Sequence, residues 1–176
     1  GSIKISGVDL KCIPYNVLSK KVSYINESVS LLCDTVRQNI VLFRDIPDGD
    51  LNKVVSLVGL RVPLDRVVRD GERNLSSGET RRIEIARSLI NRAEVIIYDE
   101  AISTLDVQTA YSIEKTLLSL EEQTVIFVSH NFSSSLIRQY DEIVLMENGR
   151  ITDFGTHDEL LLRNSYYKKI INIKNG

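Results

Sequence analysis

The sequence has little cysteine, and Cys12 and Cys33 show neither metal-ligand spacing nor the dense pattern of a disulfide framework. That usage fits a reducing compartment. No stretch approaches the ~20 consecutive apolar residues of a membrane helix, and no charged-then-apolar secretory leader opens the chain. Work at a membrane would therefore need other polypeptide to place the chain there. Basic residues are not in excess: 22 Lys and Arg stand against 24 Asp and Glu, for a formal net charge of -2. A nucleic-acid binder would show a basic surplus or patch, so that class is set aside. Also missing is GxxxxGK[ST], the loop whose backbone N–H groups and Lys cradle phosphates.

What remains is a chain of 176 residues, 43% hydrophobic and 26% charged, enough for one domain with a buried core. Its organising stretch runs from Leu75 to Asp106 and holds LSSGE (75–79), VIIYDE (95–100) and STLD (103–106). VIIYDE is an apolar run that stops in two carboxylates, Asp99 and Glu100. A buried parallel strand reads this way when it delivers acids to the carboxyl edge of an α/β sheet, where such folds bind ligands. Acids at that edge point to a metal or an activated water. LSSGE precedes Ile83, Ala86 and Ile90 at helical spacing, and Ser76 with Glu79 three residues on forms a capping-box pattern. A helix starting with Ser and Gly exposes N–H groups and the positive dipole end, which suits a phosphate.

Taken in order, Ile3 and Ile5 predict a short strand turning at Gly7, and Pro14 opens a short helix running to Ser19. Val22 to Ile25 predicts a strand. From Leu31 to Val68 the pattern is mostly helical, with pieces Asp34–Val41 and Asp50–Val58 separated by Pro47, Asp48 and Gly49. Arg69–Asn74 reads as a charged loop. Gln108–Leu118 predicts a helix and Thr124–Val128 an apolar strand, a βαβ unit with VIIYDE. Phe132–Tyr140 predicts a helix, and Asn148-Gly149 a two-residue hairpin turn. His157 follows Thr156 at a helix start and is assigned no chemistry. The tail through Ile171 is expected to pack, with a solvated face at Lys168 and Lys169.

LSSGE, VIIYDE, STLD and the segment Val128, Ser129, His130 together resemble the ATP-binding domain of an ABC transporter. They match, in that family's order, its LSGGQ signature, Walker B strand, D-loop and switch-histidine region. The likeness extends to GSIKISGVDL, TVRQNI (35–40) and MENGRITDFGTHDEL (146–160), and is nearest to exporter-type domains. It implies an α/β fold, a truncated P-loop NTPase-like ABC ATPase core with a helical subdomain carrying the signature. On that pattern residues 1–27 form the start of the core through the Q-loop, 28–90 the helical subdomain, and 91–176 the carboxyl half of the core.

The resemblance also implies roles and companions. ATP and Mg²⁺ are the expected cofactors: Asp99 holds Mg²⁺ through water, Glu27 at the Q-loop position is a second candidate ligand, Glu100 orients or deprotonates the attacking water, and His130 contacts the γ-phosphate. Ser76, Ser77, Gly78 and Glu79 would meet ATP bound to a second ATP-binding domain in a head-to-tail dimer. The D-loop Ser103, Thr104, Leu105 and Asp106 would communicate across that dimer. A transmembrane domain is the other expected partner, which places the chain at the cytoplasmic face of the membrane. Leu31, Leu32 and Val36 are candidates either to contact it or to fill the core.

The sequence departs from the family at Glu27 and Glu79, where the family has Gln, at Ser77, where it has Gly, and at Thr104 in STLD, where it usually has SALD. A carboxylate at 27 still ligates Mg²⁺ but adds negative charge near phosphates, and a side chain at 77 loosens a close backbone approach. The missing phosphate loop lies upstream of GSIKISGVDL in the family. The expectation is therefore a fragment that hydrolyses ATP poorly by itself, with one sheet face less covered than in a whole domain. Two other readings stand beside the exporter: a non-catalytic ABC-like module, and a soluble ABC ATPase of DNA repair or translation. The latter would carry a long coiled-coil interruption or a duplicated domain, which this sequence does not show.

Overall fold

The structure is a computed structural model describing all residues except Glu27, Val29, 70–73, 102–104, 130–132 and Gly176; the side chains of 173–175 are likewise undescribed. Contacts divide the chain into two units, Gly1–Ser129 and His130–Gly176. The expected subdivision at 27 and 90 follows motifs, whereas the contacts gather the helical region and the sheet into the first unit.

That unit opens with a small antiparallel hairpin, β1 (Lys4–Ile5) with β2 (Val8–Asp9), around the left-handed Ser6 and Gly7. Helix α1 (Tyr15–Lys21) follows Pro14, whose fixed φ suits a helix entry. It feeds β3 (Val22–Ile25), the edge of a three-stranded sheet. Central β4 (Val95–Asp99) pairs parallel with β3 and with β5 (Thr124–Val128), and α5 (Val107–Leu118) makes the crossover from β4 to β5. Alternation along the strands gives the sheet two unlike faces. Ile25, Ile96, Tyr98, Val125 and Phe127 join the core with Ile83, Ile85 and Ala86 of α4 and Ile113 and Leu117 of α5. On the opposite face Tyr24, Ile126 and Val128 remain 57%, 47% and 44% exposed, which matches the expectation of a poorly covered face.

The helical region consists of α2 (Val36–Val41), α3 (Asp48–Leu57) and α4 (Ser77–Ile90). Helix α2 starts later than predicted because Thr35 takes the cap, its hydroxyl accepting from the Gln38 N–H at 3.1 Å. Helix α3 starts earlier. Pro47 is its entry residue and Asp48 and Asp50 lie in its first turn, where acids complement the helix dipole, so Asp48 and Gly49 belong to the helix rather than to a separating turn. Val36 is fully buried in the core, Leu31 is partly buried and packs against it, and Leu32 stays 40% exposed.

In the second unit β6 (Ile143–Glu147) and β7 (Arg150–Gly155) form an antiparallel hairpin. Asn148 and Gly149, with φ of 50° and 74°, supply the two left-handed positions of the predicted turn. Helix α6 (His157–Arg163) is capped by Thr156 and Glu159 in a reciprocal box, and α7 (Ser165–Asn175) follows. Ile137, Leu160, Tyr167 and Ile171 make this unit's core, and the buried His157 Nδ1 lies 2.8 Å from the Tyr167 hydroxyl. The helix expected over Phe132–Tyr140 is not formed: the described part is a turn at 134–136 and one 3₁₀ turn, Ile137–Gln139. Ser133, Ser134 and Ser135 compete for backbone groups with their own hydroxyls, which disfavours helix there.

Candidate functional site

Three local structures bring together the residues that the sequence marks. The first is the tip of β4. Asp99 closes the strand, paired with Val128, and the Glu100 N–H donates to the Val128 carbonyl at 2.9 Å, so the ladder carries both acids to the carboxyl edge of the sheet. Both are partly exposed. Glu100 has φ of 50°, a left-handed conformation that a residue with a Cβ adopts at an energetic cost and that concentrates at functional positions. Next to this tip, the Tyr24 hydroxyl on β3 donates to Asp99 Oδ2 at 2.7 Å, and the accepting carboxylate raises the phenol's pKa.

The second is the start of α4. The Ser76 hydroxyl accepts from the Glu79 N–H at 3.2 Å, and the Glu79 carboxylate accepts from the Ser76 N–H at 2.7 Å. This is the predicted capping box, and it explains Glu79 structurally. Helix geometry leaves the N–H groups of Ser77 and Gly78 without an intrahelical acceptor. A Ser76 hydroxyl that accepts through oxygen still carries a proton to donate. Ser77 is exposed, and Gly78 is buried.

The third is the start of α5. Asp106 caps this helix by accepting from the Thr109 N–H at 3.0 Å, and its hydrogen bonds with Thr109 hold its carboxyl below the usual range. Thr109 is also the neighbour of Gly78: a Cβ built on Gly78 would lie 2.5 Å from Thr109 Cγ2. The glycine therefore lets α4 approach α5 and locks the Ser-Gly turn against the helix that follows the acidic strand tip. Sequence reasoning saw a phosphate-facing glycine and missed this packing requirement.

A buried tether connects the same helix to β3. Arg81, 2% exposed, donates to the Asn26 carbonyl at 2.5 Å and pairs with Glu84 at 2.8 Å. Burial pushes the Glu84 pKa up, while its bond to Arg81 pulls the other way. The next residue, Arg82, donates to the Val58 carbonyl and to Ser112 Oγ at 3.1 Å beside a cleft lined by Gly59, Arg61 and Glu79. Burial, and then the neighbouring Arg61, lower the Arg82 pKa.

Of the predicted site residues, Asp99 and Glu100 stand at the sheet edge, Ser76 to Glu79 form the capped helix start, and Leu105 and Asp106 lead into α5. Glu27, Ser103, Thr104 and His130 lie outside the described residues, as does most of the Arg69–Asn74 loop. Among the described residues no group of three or more His, Cys, Asp or Glu is placed to hold a metal ion. That arrangement still fits Mg²⁺, which takes hard oxygen ligands, keeps several waters, and is commonly held by one or two carboxylates together with substrate phosphates.

The sequence profile of the family described as ABC transporter matches residues 1–103. The chain belongs to the ABC transporter family. Its fold agrees: a solved structure of a bacterial Atm1-family ABC exporter with ATP bound superposes with a TM-score of 0.83 at 27% identity, over 100% of this chain and 32% of that one. Curated ABC relatives include a putative multidrug export ATP-binding/permease protein of Bacillus subtilis, 32% identical over 99% of this chain and 31% of its own length. Another is the mitochondrial iron-sulfur clusters transporter ATM1 of Candida glabrata, 31% identical over 99% of this chain and 25% of its own length. The chain thus spans about a quarter to a third of the ABC proteins it matches. Among the described residues no helix is long and apolar enough to cross a membrane.

Proposed function

We propose that this chain is the signature-bearing and acid-bearing part of an ATP-hydrolysing domain that powers export of a substrate across a membrane. The observation that carries this reading is the packing of the capped Ser76–Gly78 turn, through Gly78 and Thr109, on the helix that follows the strand tip bearing Asp99 and Glu100. An anion-accepting helix start and a pair of carboxylates then belong to one packed unit.

In this reading Asp99 holds Mg²⁺, with Glu27 as a second oxygen ligand. The cation supplies neutralisation of phosphate charge when bound. Glu100 orients the attacking water and accepts its proton. His130 contacts the γ-phosphate. Ser76 donates its hydroxyl, and the Ser77 and Gly78 N–H groups their backbone protons, to the phosphates of ATP held by a second ATP-binding domain in head-to-tail pairing. The D-loop, Ser103 to Asp106, lies at that junction. A transmembrane domain is the remaining partner and keeps the chain at the cytoplasmic face of the membrane. Because the sequence has no GxxxxGK[ST] loop, the main phosphate cradle comes from protein outside these residues.

The test is Ser76→Asp in the full protein. Aspartate caps a helix as well as serine does, so stability should stay within about 0.5 kcal/mol, while a carboxylate facing phosphates should abolish most ATP turnover. Unchanged turnover would remove the signature turn from the nucleotide site.

A further inference from the structure

A cleft of about 310 Å³ lies beside the start of α4, lined by Gly59, Arg61, Glu79, Arg82 and Ser112. Arg82 is fixed in it by its bonds to the Val58 carbonyl and Ser112 Oγ, and it packs over Gly59, where a Cβ would lie 3.2 Å from its Nη1. Arg61 is exposed, and among the described residues its guanidinium has no hydrogen-bond or ion-pair partner. Two like charges held at one cleft favour an anion there. The Glu79 carboxylate does not fill that place, because it accepts from the Ser76 N–H at 2.7 Å as part of the cap of α4. That bond instead sets a full negative charge on the turn assigned to receive phosphates. A glutamine at 79 would close the same capping box without the charge.

We propose that Arg61 is a further nucleotide-binding residue: its guanidinium attracts the triphosphate that the Ser76–Gly78 turn meets and offsets the repulsion from the Glu79 carboxylate. This rests on the reading that the turn faces ATP held by a second ATP-binding domain. Arg82 is tied to a backbone carbonyl and a hydroxyl inside the chain, so Arg61 is the cation of this cleft with its donors uncommitted. A guanidinium presents several donors in a planar fork that suits phosphate oxygens. The two charges act on the ligand with opposite signs. Removing Arg61 weakens binding, removing the charge of Glu79 strengthens it, and removing both returns binding close to its starting value.

The experiment uses the full protein and the variants Arg61→Gln, Arg61→Lys, Glu79→Gln and Arg61→Gln with Glu79→Gln. Binding of the non-hydrolysable ATP analogue AMP-PNP is measured by calorimetry at about 0.05 M and about 0.3 M KCl. At the lower salt Arg61→Gln should weaken binding about three- to fivefold, Glu79→Gln should strengthen it by a similar factor, and the double variant should lie within about twofold of wild type. Arg61→Lys keeps the charge and should stay near wild type. Every shift should shrink at the higher salt, which a loss caused by altered packing would not do. Binding by Arg61→Gln equal to wild type at the lower salt, or a loss that neither salt reduces nor lysine rescues, would overturn the proposal. Ser76→Asp serves as the reference. If it weakens AMP-PNP binding while Arg61→Gln has no effect, the Arg61 inference fails and the signature reading stands. If Ser76→Asp binds as wild type does, the signature reading itself fails.

Discussion

Replacing Gly78 with alanine tests the junction on which the proposed site is built. In an exposed helix this change would stabilise by up to about 1 kcal/mol, because glycine has the larger unfolded-state freedom. Here the new Cβ would lie 2.5 Å from Thr109 Cγ2, roughly 1 Å or more inside ordinary carbon–carbon contact. Thr109 is β-branched and stiff at χ1, and its backbone N–H is held by Asp106, so it has little room to turn away. The helices must separate instead, at about 1–3 kcal/mol for an overpacked contact. Gly78→Ala should therefore lower stability despite its better helix propensity. Thr109→Ala removes the obstructing methyl, so the double variant should recover what Gly78→Ala loses. Urea unfolding of the four proteins gives the coupling energy, expected at about 1–3 kcal/mol. Additive effects, or a stabilising Gly78→Ala, would refute the close approach of α4 and α5.

Two further outcomes follow from groups buried away from the strand tip. Arg81→Ala leaves the largely buried Glu84 and the Asn26 carbonyl without their guanidinium donor, and should destabilise by about 3–5 kcal/mol in urea unfolding; Arg81→Ala with Glu84→Ala should be much less damaging than the single change. In the second unit, burial lowers the His157 pKa below its ordinary value of 6.5, so the unfolded chain takes the proton more readily than the folded one. The stability this neutral histidine contributes is fully present above about pH 6.5 and is lost as pH falls from there through the lower folded-state pKa; His157→Gln should flatten the dependence between pH 7 and 5 in thermal melts.

Much of this fold could be read from periodicity and punctuation. The Ser76 to Glu79 spacing located the start of α4, the apolar run ending in Asp99 and Glu100 located β4, and Asn148-Gly149 located the β6–β7 turn, because each depends on bonds between near neighbours in sequence. What escaped depends on partners far apart in the chain. Tyr24 reads as an ordinary strand residue until the register with β4 sets it beside Asp99, 75 positions away. Gly78 reads in sequence as a phosphate-facing glycine, and only the position of Thr109 supplies the packing reason. Arg81 looks like one of three basic residues on a helix, yet it is buried and bonded across 55 positions to Asn26. The left-handed backbone at Glu100 has no sequence signal either, since glutamate is not a residue that announces positive φ. The failed helix over Phe132–Tyr140 shows the opposite error, a helix expected across Ser133, Ser134 and Ser135, which are poor helix formers.

The most direct measurement is steady-state ATP turnover by the full protein carrying Glu100→Gln, with ATP binding followed in parallel. A glutamine keeps the shape of the side chain but cannot accept the proton of the attacking water. The account predicts turnover reduced about 10²–10⁴-fold with ATP still bound; turnover equal to that of the unaltered protein would contradict it.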